Sequence, residues 1–470
     1  MEAASLVTWL IYPLFPSQIY STEFWHLARL NAELFAVIGI ASPAIIILII
    51  FGFLLLIMIQ PFKDIVSRFV SGVLSRDAHD ILFIKLSGKK LQFNRLLLTS
   101  SIILGVVVPM FPYIDSINPD GQYLGTDIPN YITWINDATG SDLADTLKKT
   151  MILNQGDRPL TLLLLISIVE LGGFLGIPLI EVLKFIPIVL APALSAAVYL
   201  FVKIATNNKN LAGVAALLTI VSYHFTVGIY AAFYANWFAI IAMYLAFALI
   251  AVYWKRHTPL SWTMLFAATL ATLLLHSFTW TFLMACLVCF FIVSLFVESK
   301  RKRTLLLGIA LVIVGNVLLD YSKSEIFGIS DSFSRTIIVP ETTLDLSEYF
   351  LRWNNLNATF DVYLGGLFTN SLLLVLALVW FFLMKYEHIF DRILVSSLAV
   401  GTLPLLFGDF VTQSRIFYDL PIHILAAVVL YKLIQNRNNT ISRLLIVVIA
   451  FHFANYVIRA LSNLYFISPF

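Results

Sequence analysis

Long apolar segments alternate with short polar links along most of this chain. Each apolar segment is close to the roughly 20 residues that a helix needs to cross the hydrocarbon core of a bilayer. A membrane helix satisfies its own backbone hydrogen bonds, so the pattern predicts an all-α, polytopic membrane protein. About thirteen membrane helices are predicted, beginning near Leu34, Arg95, Pro159, Phe185, Leu211, Trp237, Ser261, Phe278, Thr304, Gly366, Ile393, Phe417 and Ile441.

Basic residues between the apolar segments predict the orientation in the membrane. They are concentrated in residues 61–95, in 255–256 and in 300–303, which are therefore expected to be cytoplasmic. Residues 114–158, 320–363, 409–416 and the C-terminus are expected outside. One conflict remains, because two apolar segments lie within residues 159–202 but Lys203 and Lys209 look cytoplasmic. One of those segments is therefore predicted to be short, re-entrant or broken near Gly172, Gly173 and Pro178.

The predicted domain organisation is simple. Residues 1–94 form an N-terminal interfacial helix, the first transmembrane helix and a cytoplasmic link. Residues 95–470 form one transmembrane catalytic domain. With 60% hydrophobic and 12% charged residues and a mean hydropathy of +0.90, the chain is predicted to be a multi-pass protein of the cell membrane. The net charge of +3 is spread over several links, which argues against nucleic-acid binding.

Cys286 and Cys289 lie within the apolar run TFLMACLVCFFIVSLF, where a thiol behaves as a small hydrophobic side chain. They are interpreted as packing residues rather than as a redox or metal-binding pair. Residues 320–363 contain several acids without metal-ligand spacing and are interpreted as a solvated lid, although they could line a cavity. Asn357 begins an N-glycosylation sequon in that loop.

The polar loop of residues 114–158 is the predicted location of the active site. Lipid-facing helices leave little room for reactive polar groups, so such groups concentrate in loops and cavities. The loop contains seven acids, Asp115, Asp120, Asp127, Asp137, Asp142, Asp145 and Asp157. Among them Asp127 has a second interpretation, since its position just before Ile128 and Pro129 is also typical of a helix N-cap.

Several stretches resemble the membrane glycosyltransferases of the GT-C superfamily, which include protein O-mannosyltransferases and aminoarabinose transferases. They are YLGTDIPNY, GDRPLTLLLLISIV, the long run from FIPIVLAPAL to TIVSYHF, TLLLHSFTWTFLMA and QSRIFYDLPIHILAAVVL, in that order within residues 95–435. The chain lacks a WWDYG-like signature, which argues against peptide N-glycosylation. It also has Asn236 where aminoarabinose-transferase-like members carry an acid.

The resemblance implies roles for particular residues. Asp127, followed by Tyr131, matches the catalytic or substrate-orienting carboxylate of the first external loop. Arg158 matches a basic residue near the donor phosphate, and Arg415 and Tyr418 match residues that face the lipid-linked phosphate.

Further candidates for substrate binding complete the predicted site. They are Asp115, Asp120, Asp157 and His276. His276 is equally well explained as an interfacial histidine at a helix end.

The predicted function is transfer of a sugar from a polyprenyl-phosphate donor to a lipid, glycan or protein acceptor on the non-cytoplasmic side. This chemistry needs a carboxylate for the acceptor hydroxyl and cations for the leaving phosphate. A divalent cation is left open as a cofactor. Two alternatives stay open: a polytopic transporter, for which Glu170 in an apolar run is the signal, and a non-catalytic GT-C-like scaffold, which would account for Asn236.

Overall fold

A computed structural model describes residues 83–86, 89–115, 118, 121, 123–298, 300–336, 356, 359, 371–385 and 387–462. Several sequence-based predictions therefore lie outside the described residues: the N-terminal interfacial helix, the first membrane segment near Leu34, most of the cytoplasmic link, the helix start near Gly366, the role of Asp120 and the sequon at Asn357.

The described chain is predominantly helical, as the all-α prediction expects. It opens with a two-stranded antiparallel hairpin, β1 (Phe83–Leu86) and β2 (Lys89–Gln92). The helices before the middle of the chain are α1 (Phe93–Val107), α2 (Ile128–Ala138), α3 (Leu143–Ile152), α4 (Pro159–Phe174), α5 (Leu179–Thr206), α6 (Lys209–Ile220), α7 (Tyr223–Ala231) and α8 (Tyr234–Arg256). Those that follow are α9 (Pro259–Leu275), α10 (Ser277–Val297), α11 (Lys300–Phe327), α12 (Ser332–Thr336), α13 (Ser371–Trp380), α14 (Ile389–Phe407), α15 (Phe410–Asp419), α16 (Ile422–Gln435) and α17 (Thr440–Ser462). Short 3₁₀ turns span Val108–Tyr113 and Leu153–Gly156.

Within the described residues, seven helical stretches are long and apolar enough to cross a membrane. They are Phe93–Tyr113, Leu179–Thr206, Lys209–Ala231, Tyr234–Arg256, Ser277–Val297, Leu305–Phe327 and Val411–Gln435. Shorter apolar helices occupy Pro159–Phe174, Pro259–Leu275 and Thr440–Ala454. The chain is thus a helical protein of the kind that spans membranes, and the predicted count of about thirteen spans is not confirmed.

The segment that conflicted with the orientation rule consists of one short and one long helix. α4 has 16 residues and α5 has 28. The break between them contains Gly176, whose φ of +76° is accessible to glycine at little cost. Pro178 then starts α5 without offering a backbone N–H. This geometry agrees with the expectation that one of the two segments is short.

Helices α5, α6 and α8 form the centre of the bundle, with α1 against α5 and α6 and with α9 against α8. Small residues allow this close approach, since Ala239, Ala242 and Ala246 on α8 are buried. Side-chain hydrogen bonds join helices across the core. Ser195 Oγ donates to Ser101 Oγ at 2.9 Å, and Asn316 Nδ2 donates to Thr269 Oγ1 at 2.9 Å.

The two polar regions predicted as loops contain more helix than expected. α2 and α3 both lie within residues 114–158. α11 continues to Phe327, so residues 320–327 are helical rather than loop, and α12 follows shortly after it. α11 continues through residues 320–327 because the acid at position 320 is paired within its own helix. Asp320 Oδ1 accepts from Lys323 Nζ at 3.0 Å, so its charge does not end the helix.

Candidate functional site

Two backbone hydrogen bonds place Asp127 against the end of α7. The backbone N–H groups of Thr126 and Asp127 donate to the carbonyls of Tyr230 at 3.1 Å and Ala231 at 3.2 Å. Gly125 makes this approach possible. Its φ is +129°, and a Cβ added there would lie 2.6 Å from Ala232 Cβ.

The Asp127 side chain occupies the N-cap position of α2 but makes no capping hydrogen bond. It accepts instead from Asn130 Nδ2 at 3.2 Å. Asp142 shows the contrast, since its carboxylate does cap α3 by accepting from the backbone N–H of Asp145 at 2.8 Å. Burial raises the pKa of Asp127 above its ordinary value, and Arg158, the Asn130 bond and Arg415 act in the opposite direction. The carboxyl group is therefore not committed to a structural role.

Tyr131 lies one turn after Asp127 and is fully buried. Its hydroxyl accepts from the backbone N–H of Ala235 at 2.9 Å. Its ring stacks on Tyr234 with centroids 5.2 Å apart and meets Trp134 edge-on at 5.2 Å. Burial raises the pKa of Tyr131 to about 12, so the phenol stays neutral. Tyr131 thus fixes α2 against α8 behind the candidate carboxylate.

Arg158 precedes α4 and is buried, with its guanidinium carbon 4.6 Å from the centre of the Trp134 ring. Its Nε and Nη2 donate to Asp157 Oδ2 at 3.0 and 2.6 Å. Burial is the largest influence and opposes the charge of Arg158, but Asp157, Tyr131 and Asp127 together outweigh it and raise the pKa of the guanidinium. Arg158 is therefore a permanent cation that already has one carboxylate partner.

Asp157 joins α4 to the start of α10. Its carboxylate accepts from Ser277 Oγ, its backbone carbonyl accepts from the Ser277 N–H, and its Oδ2 lies 4.0 Å from His276 Nε2. Burial would raise the pKa of Asp157, but Arg158, then His276, Ser277 and Arg415 hold it well below its usual range. Asp157 is thus an ionised group.

The turn before Asp157 is strained. Asn154, Gln155 and Gly156 have φ of 51°, 57° and 65°, a left-handed run that non-glycine residues rarely adopt. A side chain at position 156 would meet Ile329 and the carbonyl oxygen of Met151. Local strain of this kind persists where the surrounding structure holds it, and such strain clusters at functional sites.

His276 is the N-cap of α10, where its Nδ1 accepts from the backbone N–H of Thr279 at 3.3 Å. Because Nδ1 is the acceptor, the proton of the neutral ring lies on Nε2, which faces Asp157. Burial lowers the pKa of His276 to about 3; Asp157 raises it, whereas Arg158, Arg415 and Arg335 lower it further. The structure therefore explains His276 as a cap and also places it in the predicted site.

Arg415 on α15 brings a second cation to this cluster. Its guanidinium carbon lies 5.5 Å from the centre of the Phe278 ring, and its charge acts on Asp127, Asp157 and His276. Among the described residues, no carboxylate oxygen lies within 4.0 Å of its side-chain nitrogens. Arg415 is partly exposed. It is therefore the cation of this cluster best able to accept an anionic ligand.

Sequence reasoning missed Arg335 and Lys323, which lie at the edge of the same cluster. Arg335 Nη2 donates to Ser332 Oγ at 3.3 Å, and Ser332 in turn donates to Asp320 at 2.7 Å. Lys323 Nζ donates to the Gly156 carbonyl at 3.4 Å, next to Asp157. The available signal was the presence of basic residues in an otherwise acidic region, which the sequence predicts to be external and either a solvated lid or the lining of a cavity.

Two predicted site residues are placed differently, and a third lies outside the described residues. Asp115 is exposed after the 3₁₀ turn at Val108–Tyr113, and no contact with the cluster is described for it. Tyr418 is fully buried, and its hydroxyl donates to the His224 carbonyl at 2.7 Å, so it faces the core. The placement of Asp120 lies outside the described residues. The structure thus brings together Asp127, Tyr131, Asp157, Arg158, His276 and Arg415.

The cluster combines a carboxyl group in a partly buried setting with arginines that can hold an anion. No group of three or more His, Cys, Asp or Glu side chains in the described part of the chain is arranged to hold a metal ion. The sequence matches no protein-family model and none of the curated proteins with which it was compared. Chemistry at this cluster must therefore be argued from its own residues.

Proposed function

We propose that this chain is a membrane glycosyltransferase that moves a sugar from a polyprenyl-phosphate donor to a lipid, glycan or protein acceptor. The observation that carries the proposal is the relation of Asp127 to two arginines. Asp127 does not cap its helix, and the charges of Arg158 and Arg415 both act on its carboxylate. A general base beside cations is the arrangement that transfer from a sugar phosphate requires.

In this proposal Asp127 takes the proton of the acceptor hydroxyl as the acceptor oxygen bonds to the anomeric carbon. The bond from that carbon to the phosphate oxygen breaks, and the phosphate leaves as an anion. Arg415 binds that anion, because a guanidinium can donate two parallel hydrogen bonds to phosphate. Arg158 is already paired with Asp157. Its contribution to the reaction is therefore mainly to hold α2 in place and to add positive potential at the site.

Apolar surface along the helix that begins at the cluster suits a donor with a lipid tail. On α4, which begins directly after Arg158, Ile168, Leu171 and Phe174 are exposed. In a membrane these side chains face lipid, and a polyprenyl chain is a lipid of the same chemistry. A donor could therefore approach from the side, with its phosphate near the start of α4.

The test uses purified protein in nanodiscs with a panel of radiolabelled polyprenyl-phosphate monosaccharides and a membrane extract as acceptor source. We expect release of polyprenyl phosphate from at least one donor by the wild-type chain and its loss in Asp127→Asn. Equal release by both proteins would contradict the proposal. Release by both proteins would point to a different base, and release by neither would favour a non-catalytic scaffold.

One observation favours a second candidate, a transporter. Asp419, His224 and His423 are fully buried within apolar stretches long enough to span a membrane, and ionisable groups there often mark ion pathways. Glu170, the sequence-based signal for a transporter, is instead exposed on α4. Proton uptake into proteoliposomes that depends on a small solute, with no donor turnover, would support this second function.

A further inference from the structure

A column of polar side chains leads from the candidate site into the helical core, and the proposed transfer reaction does not use it. His276 Nδ1 lies 3.2 Å from Thr279 Oγ1. Thr279 Oγ1 lies 3.4 Å from Asp419 Oδ1. On its other side, His276 Nε2 lies 4.0 Å from Asp157 Oδ2. The order of the column is thus Asp157, His276, Thr279 and Asp419.

The inner three members are sealed from solvent, since His276, Thr279 and Asp419 are all 0% exposed. Asp419 ends α15 within the apolar stretch Val411–Gln435. Among the described residues, no hydrogen-bond partner is found for its Oδ2. A buried carboxylate is costly unless it is paired and fully hydrogen-bonded, so a carboxyl group in this position favours the protonated form.

The outer end of the column opens at the candidate site. The Asp157 side chain is 15% exposed, and its carboxylate faces His276 Nε2, the nitrogen that carries the ring proton. Thr279 holds the middle position because a hydroxyl can accept from one neighbour while it donates to the other. Thr279 can therefore pass a proton between Asp419 and His276 Nδ1. His276 Nε2 makes no hydrogen bond within the described residues, so the last transfer needs the 4.0 Å to Asp157 Oδ2 to shorten.

We propose that these residues form a proton path by which Asp419 exchanges its proton with the face of the protein that carries the candidate site. The Asp419 carboxyl gives its proton to Thr279 Oγ1, while the Thr279 hydroxyl proton passes to His276 Nδ1. The imidazolium then gives its Nε2 proton to Asp157 Oδ2 when the 4.0 Å between the two atoms shortens, and Asp157, whose side chain is 15% exposed, passes the proton to solvent. The products are an Asp419 carboxylate, an imidazole protonated on Nδ1 and one released proton, and a proton returning along the path restores the starting state.

The groups around Asp419 fit this exchange. Arg415 lies one turn before Asp419 on the same helix, so a positive charge stands close to the carboxylate that the exchange leaves behind. Within the described part of the chain, Tyr244 on α8 and Cys286 on α10 are further titratable groups near Asp419. His423, at the start of α16, faces His224 instead, with ring centres 4.3 Å apart. The path does not depend on whether the protein transfers sugars.

The experiment is infrared difference spectroscopy of the full chain in nanodiscs during a rapid rise in pH, in H₂O and in D₂O. We expect a carboxylic C=O band that shifts in D₂O, disappears after the pH rise and is missing in Asp419→Asn. In Thr279→Val, which keeps the side-chain shape but removes the hydroxyl, loss of the band should slow by roughly 10²-fold or more. Thr279→Ser is the matched control and should behave as the wild type does.

His276→Asn provides a second variant if Thr279→Val fails to fold. Asparagine is a favoured N-cap residue, so α10 keeps its cap, but the amide cannot carry the proton. Loss of the band should be slowed here as well. The proposal is wrong if the wild-type band is absent at every pH, or if Thr279→Val or His276→Asn loses it at the wild-type rate.

Discussion

The guanidinium carbon of Arg158 lies 4.6 Å from the centre of the Trp134 ring. The same guanidinium donates two hydrogen bonds to Asp157 Oδ2. Trp134 belongs to α2, the helix that follows Asp127, and Arg158 precedes α4. This contact therefore holds the candidate carboxylate against the start of the apolar helix α4. It gives Arg158 a structural role that Arg415 does not share.

The two arginines are expected to differ when each is replaced. Arg158→Ala leaves the mostly buried Asp157 carboxylate, whose side chain is 15% exposed, without its cation and should destabilise the fold by about 3 kcal/mol. Arg415→Ala should leave stability nearly unchanged but weaken donor use by about 1.5–3 kcal/mol, because a charge-assisted bond to phosphate is lost. Thermal melting and kcat/KM for the polyprenyl-phosphate donor measure the two effects.

Lysine replacements sharpen the comparison. Arg415→Lys keeps the charge but loses the planar fork, so its donor use should lie between those of the wild type and Arg415→Ala. A large fall in melting temperature for Arg415→Ala, or unchanged donor use by all four variants (alanine and lysine at 158 and at 415), would contradict the assigned roles.

The buried His276 predicts a pH dependence of stability. Its pKa is lowered to about 3 in the folded protein, whereas an unfolded histidine titrates near about 6.5. Between these values the unfolded chain binds a proton that the folded chain does not, so stability should fall as the pH is lowered from about 6.5. His276→Asn keeps an N-cap acceptor but does not titrate, so its melting temperature should fall less over this range.

Melting temperatures measured between pH 7 and pH 5 test this expectation, since carboxylates of ordinary pKa, about 4, stay mostly ionised there. The other histidines are common to both proteins, so the difference between the two curves isolates His276. Parallel curves would mean that His276 is not a buried neutral ring.

Gly125 should be essential to the placement of Asp127. A methyl group there would lie 2.6 Å from Ala232 Cβ, and the φ of +129° is unfavourable for alanine. Gly125→Ala is therefore expected to lower both the melting temperature and the turnover, by pushing residues 126–127 away from α7. Gly173→Ala is the control, because its added Cβ meets nothing within 4 Å and α4 gains a better helix former. Wild-type turnover by Gly125→Ala would show that the contact does not position the site.

The orientation in the membrane is tested by cysteine labelling. A cysteine at Gly140 would clash with Asp145, so Ser141→Cys, which is exposed before α3, is the better probe. Arg256→Cys, exposed at the end of α8, is the matched probe for the opposite side. In a Cys286→Ala, Cys289→Ala background, an impermeant reagent added outside intact cells should label position 141 and not 256. The reverse pattern would invert the predicted topology.

Much of the fold follows from the sequence because apolar length and turn residues act locally. Pro159, Pro178 and Pro259 each stand at a helix start, and Gly176 lies in the break that divides α4 from α5. The sequence also predicts the N-cap position of Asp127. It does not predict that the capping hydrogen bond is missing, because the placement of Asp127 depends on its contact with residues 230–231, far along the chain.

The rest of the site depends on packing between distant helices. Tyr418 was expected to face a ligand, but its hydroxyl reaches the His224 carbonyl instead. The sequence does not predict that its neighbour Asp419 is buried, because the residues around Asp419 are typical of the polar end of a helix. Only the approach of α10 shows that it meets Thr279. Arg335 was hidden for a similar reason, in a region interpreted as a lid.

The most direct test of the proposed function is donor turnover by Asp127→Asn. The substitution keeps the shape of the side chain, and asparagine serves as an N-cap as well as aspartate does, so folding should be unchanged. An amide cannot take the acceptor proton, so turnover should fall by roughly 10² to 10⁴. Asp137→Asn, on the same helix, is the control and should keep most activity. Near-normal transfer from a polyprenyl-phosphate sugar by Asp127→Asn, with the melting temperature unchanged, would contradict the account.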